Sequence, residues 1–347
     1  LQRAKNVYLL YNAIPEGLVS GEKSRFLVQL EYFKLPRHSL KFKQIDLPLL
    51  TQDISLKKAV KTLAVLNQLD EIGTQGFSSS SIGQYIRNPY LFYEQRMLKI
   101  KPLETIENEL SALDKGTIMH EVLEFLYAPF LNKKLTVQDL EKMLLSIPNI
   151  LENSFKSIYK NDEYRTGKNF IIFNVMEKIL KSFLLQEKNQ VEGGVDLKIL
   201  GLEHKFSIPV WVKGLEKEII FKGSIDRIDC LDGLIRFVDY KTGNVSALDL
   251  SFQHWEELTK NPKKSALFQV LLYAYALKHE FKGDKVCVGV IPLKNFENNF
   301  MAASIIEKPR TKTLIEMNES IFLNFEKELF AIINEIFDPN IPFIFKT

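Results

Sequence analysis

The sequence predicts an α/β fold in which a mixed central β-sheet is flanked by helices. Residues 219–230 alternate apolar and polar side chains, Asp232-Gly233 supplies a turn, and residues 234–241 return as a second strand. Residues 285–293 form an apolar run typical of a strand buried on both faces. Helical spacing before and after this run predicts the flanking helices.

Bulk composition indicates an ordinary globular protein. The 347 residues suggest one large domain or two smaller ones, and 46% hydrophobic with 26% charged residues allow a sizeable core. The formal net charge of +3 neither requires nor excludes nucleic acid. The two cysteines, Cys230 and Cys287, cannot alone build a metal cluster, and their scarcity suits a reducing, cytoplasmic location. We find no apolar run of the roughly 18 residues that a membrane span needs, and expect no membrane partner.

The first part of the chain, residues 1–75, is predicted to be a small separate segment. Its predicted elements are a strand over 6–12, a helix over 24–33, a strand over 41–48 and an amphipathic helix over 55–69 that ends near Gly73. Residues 17–24 resemble a phosphate-binding loop, but three residues instead of four separate the glycines and Glu22 precedes Lys23. We therefore predict no nucleotide site. Leu1 in place of methionine leads us to expect a piece of a longer chain.

The small-residue stretch 76–81 predicts a linker, and with it a second domain over 76–347. A helix over 82–93 follows, with Ser81 as its candidate cap. Aromatic and basic residues are interleaved along and just after it: Tyr85, Arg87, Tyr90, Tyr93 and Arg96. Such a set can bind a nucleic-acid backbone. Helix packing with a solvated basic edge explains it equally well.

Two further helical regions precede the hairpin. A helix over 111–127 carries His120 near its amino end, where a lone histidine is more often structural than a ligand. Residues 136–190 are predicted to be helical, with breaks at Pro148 and around 161–168. This large helical insert is interpreted as a lid or a packing element, and no chemistry is assigned to it.

The remaining elements surround the hairpin. They are a strand over 197–212, a loop over 245–263, an apolar helix over 265–279, the strand over 285–293, a long amphipathic helix over 312–337 and an irregular tail over 338–347. In the apolar helix, Gln269 and Tyr273 are four residues apart and share a face. A buried glutamine needs a hydrogen-bonding partner, whereas Tyr275 is interpreted as core.

The hairpin carries a charged cluster. Because side chains alternate along a strand, Asp239 and Lys241 share a face and Tyr240 points the other way. Asp226 faces this pair from the other strand. A simple ion pair needs one acid and one base. The second acid therefore favours a divalent-metal site, because Mg²⁺ prefers carboxylate oxygens.

Four motifs occur in an order that is diagnostic. They are Gly116-x-x-x-His120, Gly223–Asp229, Val238–Gly243 and Gln269-x-x-x-Tyr273. Together they resemble the RecB-like branch of the PD-(D/E)XK nuclease superfamily over roughly 77–345. Within that branch they are most similar to the carboxy-terminal nuclease domain of AddB-type helicase–nuclease subunits. The resemblance implies a restriction-endonuclease-like fold and metal-dependent hydrolysis of DNA phosphodiesters in double-strand-break repair and recombination, with a helicase subunit as a partner.

The resemblance also implies the ligands of the metal. Asp226 and Asp239 would bind Mg²⁺ or Mn²⁺ together with the backbone carbonyl of Tyr240. His120 would complete the set, and an imidazole ligand suits Mn²⁺ better than Mg²⁺.

The same resemblance implies the catalytic roles of neighbouring residues, alongside Asp226 and Asp239. Lys241 would orient the attacking water or neutralise charge on the phosphate. Gln269 would position Lys241 or that water, and Tyr273 would contact the phosphate side. Asp229 lies on the strand face opposite Asp226 and is expected to pair with the neighbouring arginine or a backbone group. Glu203, on the preceding strand, is a weaker candidate outside the ligand set.

A second resemblance covers the start of the chain, where residues 8–12, 16–17 and 24–27 are similar to the last piece of a superfamily-1 helicase-like domain. Without an ATP-binding loop, no ATPase activity is expected. Many relatives of the nuclease domain carry a four-cysteine iron–sulfur cluster. Here Asn88 stands before the Pro-aromatic pair, and no cysteines follow near Thr347. We expect no iron–sulfur cluster.

Two other functions are compatible with parts of the sequence. The chain could be a catalytically silent DNA-binding or scaffold module of such a complex, but His120, Asp226, Asp239 and Lys241 are all present, whereas a decayed site usually loses one. A carbohydrate or peptide hydrolase with paired acids leaves Lys241 and His120 without roles.

Overall fold

A computed structural model describes residues 6–9, 23–33, 39–43, 57–100, 110–158, 165–294, 300–308 and 311–346. The chain divides into two compact units, Leu1–Ser55 and Leu56–Thr347. In the first unit, the helix predicted over 24–33 is present as α1 (Arg25–Tyr32). It begins after Ser24, whose side chain accepts a hydrogen bond from Leu27 N. Residues 6–9 and 41–43 have no regular structure, and the rest of the two strands predicted there lies outside the described residues.

The second unit contains the other helices and all the strands of the described residues. Its helices are α2 (Leu63–Gln75), α3 (Ser79–Arg87), α4 (Pro89–Phe92), α5 (Ala112–Tyr127), α6 (Val137–Ile158), α7 (Gly167–Glu192), α8 (Glu257–Lys260), α9 (Ser265–Ala276) and α10 (Glu319–Phe337). Its strands are β1 (Lys58–Ala59), β2 (Leu197–Val212), β3 (Lys217–Leu231), β4 (Leu234–Lys241), β5 (Ser251–Phe252), β6 (Val286–Pro292), β7 (Met301–Ala302), β8 (Ser304–Lys308), β9 (Thr311–Leu314) and β10 (Phe343–Ile344). No helix of the described residues combines the length and apolarity needed to cross a membrane.

The central sheet is mixed and has the strand order β2-β3-β4-β6-β7. Strand β4 pairs antiparallel with β3 and parallel with β6, and α9 lies in the crossover between β4 and β6. The predicted hairpin turn is present: Asp232 and Gly233 have φ of +49° and +83°, the two positive angles of a type I′ turn. The α/β prediction is therefore confirmed.

Helices cover both faces of β4, so this strand separates two apolar cores. Phe237 packs in a core with residues of α2, α3, α9 and α10. Its neighbour Val238 packs in a second core built largely from α5, α6 and α7. The alternation of a strand explains this division, since successive side chains enter opposite layers.

Two predictions for the beginning of this unit are wrong. The helix predicted over 55–69 starts only at Leu63, after the cap Thr62, because Lys58–Ala59 form β1. The helix predicted over 82–93 begins at Ser79. Its cap is Ser78 and not Ser81, which is the third helical residue and completes a capping box with Ser78.

The same helix ends earlier than predicted. It stops at Arg87, because Asn88 caps α4 and Pro89 follows as the first residue of that helix. The stretch 76–81 is built into the fold, since Phe77 is fully buried and forms a β-bridge with Phe221. The division at 75/76 stays a prediction.

Later elements bring four corrections. Pro148 lies inside α6 instead of breaking it, and its neighbour Ile147 is fully buried, so packing of the amphipathic helix outweighs the cost of an interior proline. Helix α10 starts at Glu319 and not at 312, because residues 311–314 form β9. The predicted loop over 245–263 contains β5 and α8, and the predicted irregular tail contains β10, which pairs with β1.

Truncation of Phe343 tests the importance of this tail. Its ring is fully buried, stacks on Tyr93 and lies 4.8 Å from Lys61 Nζ. We predict that Phe343→Ala lowers the unfolding free energy by about 3–5 kcal/mol in urea titrations. The adjacent Ile344 is 38% exposed, and Ile344→Ala should cost less than about 1 kcal/mol. Equal losses for the two variants would contradict the assigned register.

Candidate active site

The candidate site lies at the carboxyl end of β4. Strand β3 stays in register with β4 only as far as the pair Arg227 and Val238, whereas β6 follows β4 to Lys241. Beyond Val238 the edge of β4 toward β3 is therefore open. The last three residues of β4, Asp239, Tyr240 and Lys241, lie at this opening.

Three groups from different elements meet at the backbone of Tyr240. Its N–H donates to Asp226 Oδ2 at 2.7 Å, and its carbonyl oxygen lies 3.0 Å from His120 Nε2. His120 Nδ1 is 3.5 Å from the same oxygen of Asp226. Burial lowers the pKa of His120, but the hydrogen bond and charge of Asp226 outweigh burial and raise it above its ordinary value. The structure thus brings together three of the four residues predicted as ligands: His120 of α5, Asp226 of β3 and Tyr240 of β4.

Asp239 belongs to a ring of four polar groups. Lys241 Nζ lies 2.7 Å from Asp239 Oδ2 and donates to Gln269 Oε1 at 2.9 Å. Gln269 Nε2 in turn donates to the Tyr273 hydroxyl at 2.5 Å, and that hydroxyl donates to Asp239 Oδ1 at 3.3 Å. Burial raises the pKa of Asp239 to about 6, and Lys241 only partly offsets this effect. The predicted contact between Gln269 and Lys241 is present.

Glu203 of β2 is closer to the site than the sequence indicated. In the β2–β3 register, Glu203 and Asp226 both lie between the pairs Leu202–Arg227 and His204–Ile225, and the φ of Glu203, +42°, is in the left-handed region. Its carboxylate accepts a hydrogen bond from Ser224 at 2.9 Å. Burial and the charge of Asp226 raise its pKa. Such strain is found where the surrounding structure fixes a side chain for function.

The donor set fits a divalent cation. One ligand atom each from His120, Glu203 and Asp226 lie within 4.8 Å of one another. Asp239 is outside this trio, but its Oδ2 is buried and forms no aligned hydrogen bond, although Lys241 is near. Carboxylate oxygens with one imidazole suit Mg²⁺ or Mn²⁺. A cation would also offset the charge of three neighbouring carboxylates.

Two other groups of predicted residues are now located. Asp229 pairs with Arg227 as predicted, at 2.6 Å, and is fully buried. The interleaved set lies on α3, on α4 and on the π-helical segment Tyr93–Met97 that follows α4. Tyr85 is buried with its hydroxyl on Glu335, and the half-buried Tyr93 stacks on Phe343, so both tyrosines serve packing. The two arginines of that set, Arg87 and Arg96, are exposed.

Comparison with protein families identifies the second unit. Residues 76–344 match the model of the PD-(D/E)XK nuclease superfamily. The chain belongs to this superfamily. Its order of motifs, its mixed sheet and its charged strand end all agree with that membership, and the resemblance predicted from the four motifs is confirmed.

Several curated relatives are much longer proteins that are named as the B subunit of an ATP-dependent helicase/deoxyribonuclease. The one from Streptococcus mutans is 26% identical over 67% of this chain and 19% of its own length. The protein of the same name from Streptococcus uberis is 22% identical over 92% of this chain and 30% of its own. The one from Clostridioides difficile is 25% identical over 55% and 18%. The chain therefore spans less than a third of the length of these relatives.

The raised pKa of Asp239 predicts a pH dependence of stability. Because the folded state holds this proton more tightly than the unfolded chain, the unfolding free energy should fall as pH rises from about 4 to about 7. With chelator present, urea titrations should show a fall about 1–3 kcal/mol larger for the natural chain than for Asp239→Asn. Identical pH profiles for both would contradict the burial of an acid at this position.

Proposed function

We propose that this chain is a metal-dependent deoxyribonuclease that hydrolyses phosphodiester bonds of DNA with Mg²⁺ or Mn²⁺. The observation that carries the proposal is the convergence of His120, Asp226 and the Asp239–Lys241 pair at one strand end. Membership of the superfamily and the names of the relatives support it.

The cation would be held by His120, Glu203 and Asp226, with Asp239 and the carbonyl of Tyr240 completing the set. A bound divalent ion supplies Lewis acidity and lowers the pKa of water. The protein contributes the arrangement of these groups. Asp226 is fixed by its hydrogen bond from the N–H of Tyr240 and would bind the ion through its carboxylate.

Lys241 is proposed to donate to the phosphate oxygens as negative charge develops. Its ammonium group is partly exposed and is aimed by Asp239 and Gln269. Because this donor is already in place, stabilising the developing charge requires no rearrangement of the protein. The Tyr273 hydroxyl donates to Asp239, and the Tyr273 side chain is almost fully buried. These observations support a role in orienting Asp239 and not the contact with the phosphate that the resemblance implied.

The biological setting follows from the relatives. Because they are named helicase/deoxyribonuclease subunits, we propose that this chain is the nuclease part of such an assembly, acting with a helicase subunit in double-strand-break repair and recombination in the cytoplasm. Residues 1–75 would then be the remainder of a helicase-like domain.

Replacement of the lysine gives the sharpest test of catalysis. Lys241→Met should lower the rate of cleavage of linear DNA with Mn²⁺ by about 100-fold or more, because the developing charge loses its donor. Lys282→Met, which removes an exposed lysine in the turn before β6, is the matched control and should cleave at the natural rate.

Chelator must abolish cleavage by the natural chain. Natural activity in Lys241→Met would contradict the mechanism. If the natural chain binds DNA but shows no chelator-sensitive cleavage, the silent scaffold function is correct.

A further inference from the structure

A fully buried arginine next to the site is held by acids from two separate elements. Arg227 of β3 donates through Nε to Asp229 Oδ2 at 2.6 Å, and its Nη1 lies 2.8 Å from Glu187 Oε1 on α7. Asp229 also accepts hydrogen bonds from Arg236 at 2.7 and 2.9 Å. Two arginines and two carboxylates therefore balance, which avoids the large cost of an unpaired buried charge.

This arginine also reaches the residue at the centre of the candidate site. Its Nη1 lies 3.3 Å from the Tyr240 hydroxyl and donates to it. The two peptide groups of Tyr240 hold Asp226 and His120. Because the ring and both peptide groups share one Cα, anchoring the far end of the ring restricts the direction of the peptide groups.

The same network holds the helix that carries His120. Tyr127 follows His120 by seven residues on α5, so the two side chains lie on the same face of the helix. The Arg227 guanidinium lies 4.8 Å from the centre of the Tyr127 ring, and the Tyr127 hydroxyl donates to Glu187. Fixing α5 at Tyr127 therefore restricts its rotation, and with it the direction of the imidazole.

We propose that Arg227 and Glu187 are positioning residues that act through Tyr240 and Tyr127 to set the spacing of the metal ligands. This inference rests on the metal site of the proposed function. It assigns a role to the helical insert, because α7 supplies the buried Glu187 that pairs with Arg227. Groups that orient metal ligands in this way commonly change metal affinity when they are altered.

Removal of one hydroxyl tests the proposal. Tyr240→Phe keeps both peptide groups and the ring packing against Phe183 and His120. It removes the hydroxyl that accepts a hydrogen bond from Arg227. We expect the affinity for Mn²⁺, measured by calorimetry on the DNA-free protein, to fall about tenfold. The Mn²⁺ concentration for half-maximal cleavage should rise by the same factor.

A matched control separates positioning from general stability. Tyr275→Phe also removes the hydroxyl of a buried tyrosine, but this hydroxyl donates to Glu326 on α10, which is not one of the candidate ligands. Its Mn²⁺ affinity should equal that of the natural chain, even where its melting temperature falls as much as that of Tyr240→Phe.

Each outcome either supports or overturns the positioning role. Unchanged Mn²⁺ affinity in Tyr240→Phe, or equal losses in Tyr240→Phe and Tyr275→Phe, would overturn it while leaving the nuclease proposal intact. If Tyr240→Phe does not fold by circular dichroism, Glu187→Gln replaces it, because the amide keeps the shape but weakens the pair with Arg227. A natural chain that binds no Mn²⁺ would defeat the proposed function itself.

Discussion

The backbone of Tyr240 is the point on which the candidate site depends. Where β3 leaves the register of β4, the N–H of Tyr240 would lose its partner, and a buried amide must find another. The carboxylate of Asp226 takes that place at 2.7 Å. Asp226 thus replaces the missing backbone acceptor of Tyr240, and it lies at the end of β4 where the candidate site is. The geometry of the site is therefore set by the same requirement that holds the sheet together.

Charge explains why this arrangement favours a cation. Asp226, Asp239 and Glu203 are buried or half-buried near one another, and within the described part of the chain Lys241 and His120, whose pKa is raised, offset their negative charge. Burial is the largest cause of the raised pKa values of Asp239 and Glu203, which shows that their charged forms lack full compensation. A divalent ion would supply this positive charge. Keeping the acids close together in the folded protein costs free energy, and binding of the ion would offset that cost.

Local patterns made much of the fold predictable from sequence. The alternation around Asp232-Gly233 identified the β3–β4 hairpin, and the apolar run identified β6. The predictions were wrong where one sequence pattern is compatible with both a helix and a strand. Leu314 fits a helical face with the residues after it, but it lies in β9, because pairing with β8 decides the conformation there. Short strands such as β10 depend on a distant partner that no local pattern reveals.

The site was predictable in part for the same reason. Motif order located the acids, the lysine and the histidine. Glu203 was underrated because its position depends on β2 pairing and a positive φ. Glu187 was missed, because its partner Arg227 is 40 residues away and a lone acid in a helix gives no signal.

A crystal structure of the Mn²⁺-soaked protein, with anomalous diffraction locating the ion, tests the central claim most directly. The account predicts one strong peak within about 2.0–2.4 Å of oxygens from Asp226 and Asp239 and close to the imidazole nitrogen of His120. A peak elsewhere, or none at saturating Mn²⁺, would contradict it.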